Sequence, residues 1–183
     1  MIEKSSCSCT TKIHIPPSNQ GHVYHDCCNN RVVKTDNIAK WAKNNVSLFT
    51  SLYNDYFEYD SRVVKLYSFD GCKLCTEALY GYPLNDWDKL SKENLKTLIH
   101  IHHEFVDMWN NQLNFRKEGW ADNQCFYHFD WLPKNLLWCG EEGRLRLIDP
   151  DHFVLNDITD NFSELTKFRT GLRLLEQAMA QAK

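Results

Sequence analysis

Apolar side chains recur along residues 38–57 at Ile38, Trp41, Leu48, Leu52 and Tyr56, close to the spacing of one helix face. Asp36 stands ahead of the run, where an N-cap belongs. A second helical period over residues 92–113 carries Leu95, Leu98, Ile99, His102, Phe105, Met108, Trp109 and Gln112, which describes a core helix. His102 falls on its apolar side and is expected to be a satisfied core histidine, while His100, His103, Glu104 and Asp107 lie round the opposite, solvated side. A third period, residues 163–180, carries Leu165, Phe168, Leu172, Leu175 and Met179. The start of the chain is different: residues 10–15 and 22–27 read as two strands joined by Pro16-Pro17-Ser18-Asn19-Gln20-Gly21, and Arg31-Val32-Val33-Lys34 reads as a third. Residues 136–139 and 144–148 are short apolar-rich runs about Gly140-Glu141-Glu142-Gly143, whose glycines suit a tight turn, so they read as an antiparallel hairpin. The pattern is that of an α+β protein.

Pairing that hairpin about its turn puts Asn135 and Asp149 side by side at the open end. An amide oxygen and a carboxylate on rigid backbone suit Mg²⁺, a hard cation that takes a few protein oxygens and leaves its other positions to phosphates and water. Asp130 lies in the loop just before, stiffened by Pro133, where a carboxylate can receive the proton of an attacking hydroxyl. His128 would brace the loop. These residue types in this order point to phosphoryl transfer to an alcohol.

Here the chain resembles the protein-kinase-like superfamily, which includes eukaryotic-type protein kinases and the aminoglycoside and choline kinases. His128-x-Asp130-x4-Asn135 matches the catalytic-loop pattern, and Ile148-Asp149 matches the metal-binding aspartate that follows it. The resemblance implies that Asp130 is the catalytic base and that Asn135 and Asp149 are Mg²⁺ ligands. Val32-Val33-Lys34 resembles the strand lysine that pairs with the α and β phosphates of ATP, and Gly21 is what remains of a glycine-rich loop over those phosphates. Val63-Val64-Lys65-Leu66-Tyr67-Ser68-Phe69, Asp70-Gly71 and Lys73-Leu74-Cys75-Thr76-Glu77 look like the strand, turn and strand leading to the hinge, with Glu77, Ala78 and Leu79 beside the adenine. The family places a glutamate on the helix after the strand lysine to hold it; that place falls near Ser51, and Asp55 and Glu58 are the nearest acids. The resemblance covers roughly residues 12–153. It implies a two-lobe protein-kinase-like fold, with a β-rich N-lobe over residues 1–78 and a truncated, mostly helical C-lobe over 79–183.

With 183 residues, 43% hydrophobic and 13% aromatic, the chain can bury a sizeable core. A net charge of −3 and the lack of a Lys/Arg block give no electrostatic reason to bind nucleic acid or a membrane surface. No apolar run has the length of a membrane span and no signal-peptide pattern follows Met1, so a cytoplasmic protein is expected. In that compartment the eight cysteines read as reduced thiols. Cys7-x-Cys9, His22, His25, Cys27-Cys28 and Cys72-x-x-Cys75 offer zinc ligands, but at spacings that match no standard knuckle.

The leading expectation is an ATP- and Mg²⁺-dependent kinase acting on a hydroxyl. Leu132 stands where Ser/Thr protein kinases carry a catalytic-loop lysine, so a small alcohol or sugar is as plausible an acceptor as a protein. A partner chain or homodimer would complete the reduced C-lobe. Two readings from other classes stay open: a pseudokinase that binds nucleotide or a partner without turnover, and a zinc-stabilised interaction protein.

Overall fold

Short runs of β-branched and aromatic residues, separated by turn residues, build the first half of the chain. The computed structural model describes residues 23–26, 28–90, 93–110, 118–121, 124–157 and 162–182. Strands β1 (Val23–Asp26), β2 (Arg31–Lys34), β3 (Leu66–Phe69) and β4 (Leu74–Glu77) form an antiparallel sheet in the order β1-β2-β4-β3. The β1–β2 turn closes through Asn30 at φ +49°, a left-handed conformation that asparagine tolerates. The β3–β4 turn is held by Asp70, whose Oδ1 accepts the N–H groups of Cys72 (2.8 Å) and Lys73 (2.7 Å), with Gly71 at φ +91° directly after the aspartate. The strand expected over residues 10–15, and Gly21 after it, lie outside the described residues.

The one helix expected over residues 38–57 is two, α1 (Lys40–Asn44) and α2 (Val46–Phe57). The break is at Asn45, which leaves helical geometry (φ −130°, ψ 41°) and donates its side-chain amide to the Trp41 carbonyl at 2.8 Å. Asparagine competes with the helix for backbone groups in this way. The first N-cap is Ala39 rather than Asp36. The apolar face also differs: α2 buries Phe49, Leu52, Tyr53 and Phe57, while Leu48 is 44% exposed.

Beyond the first sheet come β5 (Tyr82–Pro83), α3 (Trp87–Leu90), α4 (Leu95–Asn110), β6 (Gln124–His128), β7 (Leu136–Cys139), β8 (Arg144–Leu147), β9 (Phe153–Asp157) and α5 (Phe162–Gln181). β5, β7 and β8 form a second sheet in the order β5-β7-β8, and β6 pairs with β9. Only a glycine fits at position 81, where a Cβ would lie 2.1 Å from the Trp138 carbonyl oxygen across the β5–β7 contact. Among the described residues of α4, Leu98, Ile101, Phe105 and Met108 are buried, whereas Leu95 and Ile99 stay more than a third exposed, so the face is rotated from the expected one. His102 is half-buried, and Glu104 is not simply solvated, because it accepts the Leu145 N–H at 3.0 Å and ties α4 to β8. α5 lies against α4 and buries Leu175 and Ala178.

Rings from three elements centre the core. Phe153 of β9 packs on Phe57 (4.6 Å), Phe126 (5.3 Å) and Tyr53 (5.7 Å), with Phe49 against Tyr53 at 5.6 Å. Each such pair adds about 0.5–1.5 kcal/mol beyond its buried area. The cluster therefore fixes α2 against the β6–β9 ladder, the element that carries His128. Among the described residues no helix is long and apolar enough to cross a membrane.

Candidate functional site

The β6–β9 ladder pairs His128 with Phe153, and the Phe129 N–H donates to the His152 carbonyl at 3.0 Å, so the loop leaving β6 runs beside the segment entering β9. His128 is fully buried, edge-on to Phe153 (5.0 Å) and Trp131 (6.1 Å). Its Nδ1 accepts the Asp130 N–H (3.2 Å), which leaves Nε2 to carry the proton and donate to the Asp149 carbonyl (3.2 Å). Burial, helped by the nearby His152, pushes its pKa down to about 3, so the ring is neutral. It is a brace between the two ends of the site.

The loop then closes on itself. Leu132 N–H donates to the Asp130 carbonyl (2.8 Å), and Pro133–Asn135 forms one turn of 3-10 helix. Buried Asn135 donates its side-chain amide to the Asp130 carbonyl (2.9 Å) and to Asp130 Oδ2 (3.1 Å), which leaves its amide oxygen as the remaining side-chain acceptor. The hairpin follows as β7 and β8, with Leu136 opposite Leu147, and the Ile148 N–H donates to the Asn135 carbonyl at 2.8 Å. The open end of the hairpin therefore sets Asn135 beside Ile148, with Asp149 the next residue along rather than directly opposite as expected. Asp149 itself sits at φ +67°, a left-handed conformation that Asp and Asn adopt more readily than other non-glycine residues.

Lys34 reaches this end from the first sheet. Its Nζ lies 2.8 Å from Asp149 Oδ1 and 3.0 and 3.1 Å from the two oxygens of Asp151. Burial alone would raise the Asp149 carboxyl, but the Lys34 ammonium and His152 hold it down at about 2. For Asp151, burial and the Asp149 charge prevail and raise it. Burial would also lower Lys34, and the two carboxylates more than reverse that. His152 Nδ1 is 3.3 Å from Asp130 Oδ2 and 3.7 Å from Asp149 Oδ2; burial opposes its charge, but these acids raise its pKa.

Next to Lys34 and Asp149 is a mainly apolar cavity with walls from Val32, Leu74 and Thr76 of the first sheet and from Val64, Leu137 and Ile148. A few polar groups converging at one end of an apolar cavity is the usual form of a small-molecule site. Of the three expected hinge residues, Glu77 and Leu79 line it, whereas Ala78 gives its N–H to the Asn30 carbonyl (3.3 Å). The Glu77 carboxylate accepts the Lys65 N–H (2.6 Å) and pairs with buried Arg146. Lys65 stays exposed over the Tyr67 ring.

Lys34, His128, Asp130, Asn135 and Asp149 are therefore brought together, and Gly21 lies outside the described residues. Asp151, His152 and Arg146 escaped the sequence reading. The first two had a signal, being polar residues directly after the metal-type aspartate; for Arg146 only the Glu142 partner at 3.0 Å is local, while Glu77 and the Val63 carbonyl come from distant segments. The donor set at the hairpin end, one amide oxygen and carboxylate oxygens, fits a hard divalent cation completed by phosphates. Among the described residues no three His, Cys, Asp or Glu side chains converge as metal ligands. Cys72 is exposed in the turn before β4 and Cys75 is buried within it, and Cys7, Cys9, His22 and Cys27 lie outside the described residues.

His128 sets a pH dependence whose sign follows from its depressed pKa. The unfolded chain takes up a proton below about 6.5 that the folded ring refuses until about 3, so stability falls as pH drops through that window, by at most about 1.4 kcal/mol per pH unit. His128→Asn, which keeps a hydrogen-bonding group near Nδ1, is expected to flatten that slope in urea melts at pH 4–7. An unchanged slope would show that the ring is charged in the folded state.

No protein-family model and no curated protein matches the chain. Among solved structures, the streptomycin-ATP-APH(2")-IIa ternary complex is similar over 94% of this chain and 83% of that one, at 14% sequence identity and a TM-score of 0.44. The function has to be read from the residues of the site itself.

Proposed function

We propose that this chain is an ATP- and Mg²⁺-dependent phosphotransferase of protein-kinase-like architecture, moving the γ-phosphate to a hydroxyl of a protein or small molecule. One observation carries the reading: Lys34, from the first sheet, meets Asp149, from the end of the hairpin, at 2.8 Å across 115 residues of sequence, beside an apolar cavity. Lys34 is in this reading the cation for phosphates and Asp149 the carboxylate for a metal, both at the polar end of an apolar space that suits a base. In this reading residues 1–78 form the N-lobe and 79–183 the C-lobe, and the adenine lies along Glu77 and Leu79. Lys34 binds the α and β phosphates. Asn135 and Asp149 hold Mg²⁺, which when bound neutralises charge on the transferred group. Asp130 accepts the hydroxyl proton, while Asn135 and His152 orient its carboxylate and His128 fixes the loop.

A second reading, a pseudokinase that binds nucleotide or a partner, is favoured by the way Lys34, Asp149 and Asp151 already satisfy one another. Melting with ATP, with and without Mg²⁺, followed by a radiolabel transfer assay, separates the two. Lys34→Met is expected to weaken ATP binding at least about tenfold, the scale of one lost charge-assisted contact, and Lys65→Met to leave it unchanged. The reverse ranking would assign the phosphate lysine to Lys65, in the similar run Arg62-Val63-Val64-Lys65, and overturn this placement.

A further inference from the structure

A lysine that binds phosphates must be held extended toward them, and α2 offers no carboxylate for this: Ser51, Asp55 and Glu58 are all exposed. A carboxylate arrives from elsewhere. Asp151, in the 3-10 turn Pro150–His152 between the hairpin and β9, has no solvent exposure. Both its oxygens lie within 3.1 Å of Lys34 Nζ, and Oδ2 also accepts the N–H of Ala39, the residue ahead of α1, at 2.7 Å.

We infer that Asp151 is the positioning residue of Lys34, supplying from the hairpin side the carboxylate that α2 lacks and tying the lysine to the start of α1. The inference rests on the reading that Lys34 meets nucleotide phosphates. Asp149 and Asp151 share one ammonium, but they are not equivalent. The Asp149 side chain keeps 22% of its exposure and can exchange Lys34 for an incoming ligand, whereas the Asp151 side chain is sealed and faces only protein. Its role is to keep the ammonium in place whatever Asp149 binds. The same contact with Ala39 makes the α1 start and the phosphate lysine move together.

A double-mutant cycle tests this with Asp151→Asn, which retains an acceptor for Ala39 but not the charge, Lys34→Met, and the pair. In equilibrium Mg·ATP binding each single variant is expected to raise Kd about tenfold, and the double variant no more than the larger single effect, because both remove one interaction. A structural role for Asp151 apart from Lys34 would instead make the two effects multiply, and that result, or a wild-type Kd for Asp151→Asn, overturns the inference. If wild type binds no Mg·ATP, the nucleotide reading fails, and the cycle is read in melting temperature. There, pairing predicts that the double variant melts no lower than the weaker single, since the costly state is a buried charge left without its partner. Additive losses would overturn the pairing itself.

Discussion

Asp130→Ala is expected to lower phosphate transfer by about 10²–10⁴-fold while Mg·ATP affinity stays nearly constant, the range typical of a removed general base. The geometry gives the reason for the split. The Asp130 carboxylate accepts from Asn135 Nδ2 at 3.1 Å and lies 3.3 Å from His152 Nδ1, while Lys34 and the cavity walls come from other elements. The loop should survive the substitution, because its closure uses the Asp130 backbone: its N–H on His128, its carbonyl on Leu132 N–H and Asn135 Nδ2. A fall in turnover is then chemical rather than structural. The measurement is single-turnover transfer from labelled ATP beside equilibrium binding of the same nucleotide. Wild type that binds Mg·ATP yet labels no alcohol, sugar, protein or itself, and is indistinguishable from Asp130→Ala, would remove the enzyme reading and leave the pseudokinase.

What could be read in the sequence was what local chemistry decides. The β7–β8 hairpin is legible because its turn and both strands fit within residues 136–147, and its register sets Asn135 beside Ile148, one residue before Asp149. The β6–β9 ladder is not, since Gln124–His128 and Phe153–Asp157 are short runs whose pairing is non-local and marked by no turn of their own. Apolar spacing located α2 and α4 but misjudged which stripe is buried. On α2 the packing of Tyr53 and Phe57 on Phe153, and of Phe49 on Tyr53 and Phe126, outweighs Leu48, and helix periodicity says nothing of partners on other elements. The break at Asn45 depends on one side-chain amide turning back on Trp41, a local competition that an apolar period does not register. The partner of Lys34 was sought on the following helix, where there is no suitable acid. It lies 117 residues away, in the turn that a motif ending at Asp149 leaves unread.

Asp149→Asn is expected to abolish the Mg²⁺-dependent part of ATP stabilisation while the protein still folds. Asparagine accepts the φ of +67° as aspartate does, and Lys34 keeps Asp151, so backbone and lysine remain in place when the charge is removed. The substitution does have its own cost. Because the Asp149 carboxyl is held near 2, below its ordinary 3.8, its ion pair contributes stability above that ordinary value and loses it as pH falls toward 2, so at pH 7 the variant should melt somewhat below wild type. The informative quantity is therefore each protein's shift from its own ligand-free melting point. At a hundred times its Kd, Mg·ATP should stabilise wild type by about 2.7 kcal/mol, several degrees for a chain of this size. In Asp149→Asn the shift with Mg·ATP should shrink to that with ATP alone, because the amide cannot replace a charged oxygen for a hard cation. Equal Mg·ATP shifts in the two proteins would place the metal elsewhere and undo the assignment of the hairpin end as its site.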